Sequence, residues 1–170
     1  IGKSGLVFGP PNHRDGLLDI ALWAVHHGLP EGSVIDLGFI PNHQMPGLLN
    51  QCDCAVFASR YESGTNLVAM EAMACGVPVV LSGNTGHLDL IKDDHCYTLT
   101  MQNPVQPPRP EVGNIGWGAS EPEELVARLE DIYTDQQEAQ KRGAKAAEFM
   151  KTLSWSNQVE KLLGVLGEVA

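Results

Sequence analysis

Short apolar runs alternate with helically spaced apolar positions along most of the chain. Gly5-Leu6-Val7-Phe8-Gly9 predicts a short strand ending in the turn Pro10-Pro11-Asn12. Leu18, Leu22 and Val25 share one helical face and predict a helix over 17–27 that stops near Gly28. The run 34–40 predicts a strand broken by Pro41-Asn42, followed by a short helix around 43–51 and a strand over 54–58. A helix over 66–75, a strand over 78–82, a helix near 86–92 and a strand at Tyr97-Thr98-Leu99 complete the alternation.

Apolar strands alternating with short helices predict a doubly wound α/β fold, its mostly parallel sheet covered on both faces. Residues 101–119 are rich in Pro and Gly and read as a long surface loop. Ser120-Glu121-Pro122-Glu123 predicts a capping box with proline in the first turn of a helix buried through Leu125, Leu129, Ile132 and Tyr133. A largely polar helix follows over 136–151, and Ser154 is placed to cap a last amphipathic helix through Trp155, Val159, Leu162, Leu163 and Leu166. With no repeat or linker, residues 1–170 read as one domain whose 120–170 portion is a helical tail.

Composition narrows the partners. A net charge of −10 with 19% charged residues argues against a general nucleic-acid or anionic-membrane surface. An anionic ligand would need a local site made of amides, a helix end and a few cations. The sequence has no apolar run long enough for a transmembrane helix and no signal-peptide pattern at Ile1-Gly2-Lys3-Ser4-Gly5. A cytoplasmic setting is the expectation, with room for peripheral membrane contact. Cys52, Cys54, Cys75 and Cys96 lack zinc-site spacing and read as small buried hydrophobes under reducing conditions. Gly2-Lys3-Ser4 resembles the end of a P-loop, but the strand follows it instead of preceding it.

One segment concentrates candidate chemistry. The strand 54–58 runs into Ser59-Arg60-Tyr61-Glu62-Ser63-Gly64-Thr65-Asn66 before the helix holding Glu71. Ligands in open α/β sheets bind beyond the carboxyl ends of the strands. Small polar residues before a helix leave outward-facing amides that suit a phosphate, and Arg60 offers a cation. Glu71, in the second helical turn, could accept bonds from a vicinal diol such as a ribose, while Glu62 sits where a sugar ring would lie. Each has a plainer alternative: Glu62 as a favourable charge at a helix start, Glu71 as a solvated helix residue, Gly64 as a turn glycine.

With these residues identified, Glu71-Ala72-Met73-Ala74-Cys75-Gly76-Val77-Pro78-Val79-Val80 resembles the signature of family-4 retaining glycosyltransferases of the GT-B fold. The stretches VIDLGFIPNHQMPGLLNQCDCAVFAS, LSGNTGHLDLI and LSWSNQVEKLL are similar to the family's flanking elements. The resemblance implies the donor-binding half of a two-domain, metal-independent enzyme with no cofactor. That enzyme would use a UDP- or GDP-sugar as donor and a sugar, lipid or small molecule as acceptor. Its implied site has Glu71 on ribose hydroxyls and Glu62 on the sugar side, with Ser63, Gly64, Thr65 and Asn66 at sugar and phosphates. Arg60 is implied as a phosphate partner, and Phe39 and Ile40 lie near the base. Arg14, in His13-Arg14-Asp15-Gly16, is similar to the family's cationic phosphate loop, with an exposed turn as its alternative. His87 and Asp89 receive no chemical role.

Three departures accompany the resemblance. Ser63 to Met70 separate the two glutamates, one residue more than the usual spacing, as in a subgroup form in which Ser63 is glycine. The interval before Val34 is short of a strand and a helix. The acceptor-binding N-terminal domain has no counterpart in this sequence. Two rivals follow: a nucleotide-sugar epimerase on the same fold, and a non-catalytic glycosyltransferase-like binding module.

Overall fold

The computed structural model describes residues 20–35, 37, 40–92, 94–107 and 113–169, with the side chains of 20–22, 168 and 169 excluded. The expected strand at 5–9 and the candidates Arg14 and Phe39 lie outside these residues. The chain divides into two compact units, Ile1–Met45 and Pro46–Ala170.

In the first unit, α1 (Ile20–His26) ends as its sequence predicts. Gly28 takes φ +85°, its N–H bonds the Val25 carbonyl at 3.0 Å, and Leu29 N–H bonds the Ala24 carbonyl at 3.0 Å. This pair of bonds is the Schellman closure that a glycine just past a helix permits. Val34, Ile35, Leu37 and Ile40 take no part in a strand, contrary to the apolar-run expectation. Ile35 and Leu37 are exposed, so the run's apolar character is not spent on a sheet core. The expected helix at 43–51 is instead a 3-10 turn, Asn42–Gln44, running into the short α2 (Met45–Leu49).

The second unit is built on β1 (Ala55–Phe57), β2 (Val79–Ser82) and β3 (Tyr97–Leu99), parallel and in that order. Val56 pairs with Val80, and Leu81 with Thr98. Every residue of β2 is buried, as a central parallel strand requires. Between β1 and β2 runs α3 (Leu67–Ala74), which packs on α5 (Gln136–Thr152). Small residues allow the approach: a Cβ on Gly143 would stand 2.1 Å from the Gly76 carbonyl oxygen. Gly76 itself, at φ +74°, turns the chain from α3 toward β2. Val80, Tyr97, Leu99, Ile132 and Ala139 form a core cluster joining the sheet to α4 (Pro122–Thr134) and α5. The closing α6 (Trp155–Val169) keeps Trp155, Leu162, Leu163 and Leu166 exposed.

Three expectations change in this unit. The helix near 86–92 is a 3-10 helix, Thr85–Asp89, whose Thr-Gly start is poor in helix propensity. The loop 101–119 is closed at its base by an antiparallel pair, β4 (Gln102–Pro104) and β5 (Gly118–Ser120). The capping box at Ser120 does not form. Ser120 lies in β5 and its Oγ accepts from Gln102 Nε2 at 2.8 Å, so α4 starts one residue later with Pro122 in its first turn. No described helix is long and apolar enough to cross a membrane.

Candidate functional site

The carboxyl ends of β1 and β2 converge on one polar corner. From β1 the chain continues through Ser59, Arg60, Tyr61 and Glu62 to the loop Ser63–Asn66 that opens α3. Asn66 is the N-cap, in the left-handed conformation at φ 54°, and its Oδ1 accepts from the Ala69 N–H at 3.1 Å. Asparagine is among the few non-glycine residues that tolerate this geometry. The Glu62 N–H goes to Thr85 Oγ1 at 2.7 Å, and Met70 N–H returns to the Asn66 carbonyl at 3.0 Å. Between them the amides of Ser63, Gly64, Thr65, Asn66, Leu67 and Val68 have no acceptor among the described residues. A row of unspent amides at a helix start is a concentrated anion-binding feature.

The loop is stitched to β2 and to the β4–β5 ladder. Asn84, buried after β2, donates through Nδ2 to the Ser59 carbonyl at 2.9 Å, Gln102 Oε1 at 2.8 Å and the Gly118 carbonyl at 3.1 Å. Its Oδ1 accepts from Thr85 Oγ1 at 2.9 Å. Gly118 N–H donates to the Arg60 carbonyl at 2.9 Å, and Gly86 N–H to the Glu62 carbonyl at 3.2 Å. Beside these bonds Tyr61 lies flat on Trp117, ring centroids 4.1 Å apart and planes within 2°. The backbone leading to Glu62 is therefore held from three directions.

His87 lies fully buried beneath this corner. Its Nε2 meets Asn66 Nδ2 at 2.8 Å and stands 4.0 Å from Glu62 Oε2. Burial pushes its pKa below the ordinary histidine value and outweighs the Ser82 carbonyl and Glu62, which act the other way. The imidazole is neutral at neutral pH.

The sequence-predicted residues fall as follows. Glu62, Ser63, Gly64, Thr65 and Asn66 form one continuous loop, Glu62 and Asn66 being partly buried. The exposed Arg60 precedes it. Glu71 sits half-buried in the second turn of α3. Ile40 belongs to the first unit. Sequence reading gave no role to Ser82, Asn84, Thr85, Gln102 or Gly118, and named His87 without one. The available signal was local: Gly-Asn-Thr-Gly-His directly after a fully apolar strand is an unusual concentration of polar and small residues.

A separate cavity of ≈ 560 Å³ lies at the opposite end of the sheet, where Cys54 and Pro78 precede β1 and β2. Cys52, Cys54 and Cys75 line it. Burial, then Asp53 and Cys52, push the Cys54 thiol up, opposite to an activated thiolate. Among the described residues, no group of three or more His, Cys, Asp or Glu side chains is arranged to hold a metal ion.

Comparison with known proteins decides the family. The model of Glycosyl transferases group 1 matches residues 20–149, well over half of the chain. The chain belongs to the Glycosyl transferases group 1 family. Among its relatives, O-antigen chain mannosyltransferase B of Escherichia coli is 39% identical over 79 residues, 46% of this chain and 20% of that protein. D-inositol 3-phosphate glycosyltransferase of Stackebrandtia nassauensis is 27% identical over 126 residues, covering 74% of this chain and 24% of the relative. The chain thus spans about a quarter or less of these glycosyltransferases. Solved structures share this fold over about a third of their own length. Anabaena HepE in complex with UDP superimposes with TM-score 0.63 at 21% identity, over 86% of this chain and 36% of that one. Sucrose-phosphate synthase of Thermosynechococcus elongatus gives 0.65 at 23% identity, over 89% and 34% respectively.

Proposed function

We propose that this group 1 glycosyltransferase chain binds the donor of a retaining, family-4 type transfer from a nucleoside-diphosphate sugar, UDP- or GDP-linked, to a sugar, lipid or small-molecule acceptor. The observation that carries the reading is the row of unspent amides from Ser63 to Val68 at the carboxyl end of β1. The UDP complex of the similarly folded HepE supports it. In this reading the diphosphate lies against those amides and the positive end of α3, with Arg60 as a further cation. Negative charge develops on the leaving diphosphate as the anomeric bond breaks, and fixed dipoles already aimed at it need no reorganisation. The leaving group's charge is assigned to amides and cations, without a metal or cofactor. Glu71 accepts from the ribose hydroxyls, and Glu62 faces the sugar. The acceptor-binding domain of the complete enzyme closes the other wall.

Calorimetric titration of the chain with UDP, GDP and ADP tests the donor site. Saturable binding of one nucleotide, weakened roughly tenfold or more in Glu71→Ala, is expected for the loss of a charge-assisted bond pair. Equal affinity in wild type and variant overturns the assignment of Glu71.

A further inference from the structure

The ring of His87 spends both nitrogens on the corner that carries the loop. Ser82 Oγ gives its proton to the Ser59 carbonyl at 2.8 Å. The Ser82 carbonyl at 3.1 Å and Ser82 Oγ at 2.9 Å therefore both face His87 Nδ1 as acceptors, and Nδ1 carries the hydrogen. Nε2 is left with a lone pair, which receives Asn66 Nδ2 at 2.8 Å. The other end agrees: Asn66 must turn its oxygen to the Ala69 N–H, so its NH₂ faces the ring. Donor and acceptor roles are fixed from both sides along one chain, Ala69 to Asn66 to His87 to Ser82 to Ser59.

The residue this chain grips is one of two non-glycine residues at positive φ among the described residues, the other being Thr85. Asn66, at φ 54° and ψ 82°, is the pivot at which the loop amides give way to α3. We infer that His87 is a positioning residue: as a neutral imidazole it holds Asn66 in its left-handed conformation and so sets the direction of the amides from Ser63 to Val68. Its consequence for ligand rests on the donor-site reading above; its consequence for the loop does not.

The same geometry makes the arrangement sensitive to acid. A proton on Nε2 would set a donor against the Asn66 NH₂, while the Glu62 carboxylate, 4.0 Å away, becomes the competing partner. Glu62 is the charged group facing the ring; Ser82 from β2 and Asn66 before α3 are uncharged. Burial keeps the neutral form through neutral pH. Charging the ring therefore frees Asn66 and draws away the carboxylate assigned to the sugar.

The test compares wild type, His87→Ala and His87→Gln by amide hydrogen exchange and by UDP titration between about pH 5 and 8. Glutamine can offer an acceptor oxygen near the place of Nε2 but cannot be charged. In H87A the Ala69 amide, bonded to Asn66 Oδ1, exchanges faster while those of β1–β3 do not, and UDP binds roughly ten- to a hundredfold more weakly. In H87Q the Ala69 amide stays protected. Wild-type affinity falls on acidification, and H87Q shows a shallower fall, the titration of UDP itself being common to both. Unchanged Ala69 exchange in H87A, or identical acid profiles in wild type and H87Q, overturns the inference. If H87A does not fold, the H87Q profile decides. Faster Ala69 exchange in H87A with no UDP binding by any form upholds the positioning role and sinks the donor-site reading.

Discussion

A Cβ placed on Gly86 would stand 1.7 Å from the carbonyl oxygen of Gly64 and 3.0 Å from that of Glu62. Both obstacles are backbone, so no side chain can swing aside. Gly86 is glycine because the loop before α3 passes over it, held by the bond from Gly86 N–H to the Glu62 carbonyl. Gly86→Ala is expected to cost roughly 2–4 kcal/mol and to displace the loop. Urea unfolding gives the first quantity. Nucleotide titration of the folded fraction gives the second, and wild-type affinity would show that the loop has another route.

Asn84→Asp changes one atom type in a buried cluster. The Nδ2 that now faces three oxygens would become an oxygen facing oxygens, at the Ser59 carbonyl, Gln102 Oε1 and the Gly118 carbonyl. A loss of roughly 3 kcal/mol at neutral pH is expected from an unpaired buried charge. The new carboxyl would have a raised pKa, so acidification through that value restores a donor and part of the stability. Thermal unfolding of N84D at two pH values checks both magnitude and sign.

Two glycines in helices should respond oppositely to alanine. Replacing an interior helical glycine ordinarily gains about 1 kcal/mol. Gly164 in α6 has nothing within 4 Å of its would-be Cβ and should show that gain in part. Gly143 in α5 meets the Gly76 carbonyl oxygen at 2.1 Å and Pro78 N at 3.3 Å, and overpacking of about 1–3 kcal/mol outweighs the helical gain. Calorimetric Tm values for G143A and G164A should therefore bracket the wild type.

Glu124 ties the start of α4 to the corner after β3. Its carboxylate accepts from Thr100 N–H and Thr100 Oγ1, each at 2.8 Å, and from Met101 N–H at 2.9 Å. Burial opposes the charged form, but the three hydrogen bonds outweigh it and hold the pKa below the ordinary glutamate value. Because the folded value is depressed, the contribution is complete above the unfolded pKa and is lost as pH falls through the folded one. Glu124→Gln should lose about 1 kcal/mol at neutral pH and show a weaker acid dependence over that window. Parallel stability curves for variant and wild type would contradict this.

The parts of the fold legible in sequence are those whose causes are local. Gly28 ends α1, Asn66 caps α3 and Gly76 reverses the chain toward an apolar strand, each within a few residues of the structure it determines. The β4–β5 pairing was not legible: Gln-Asn-Pro and Gly-Ala-Ser lack period-two alternation, and their ladder is fixed by a cross-strand glutamine and a glycine. The same side chains undo the capping box, since Ser120 Oγ is already engaged by Gln102. In the candidate site the amide-bearing loop and both glutamates could be read directly. The supports beneath it could not, because Ser82, Asn84 and His87 act through partners far along the chain.

The clasp around Asn84 also has a place in time. Its bonds span 25, 18 and 34 residues of sequence, to Ser59, Gln102 and Gly118. Helix α3 and its cap need only neighbours, whereas the clasp waits for β5 to be made and for the segment after β4 to close. The polar corner is therefore the part of this unit whose closure depends on the segment between β4 and β5. A protease cut between β4 and β5 should loosen the clasp alone, leaving the sheet packed on α4 and α5 while the loop before α3 loses its fixed direction.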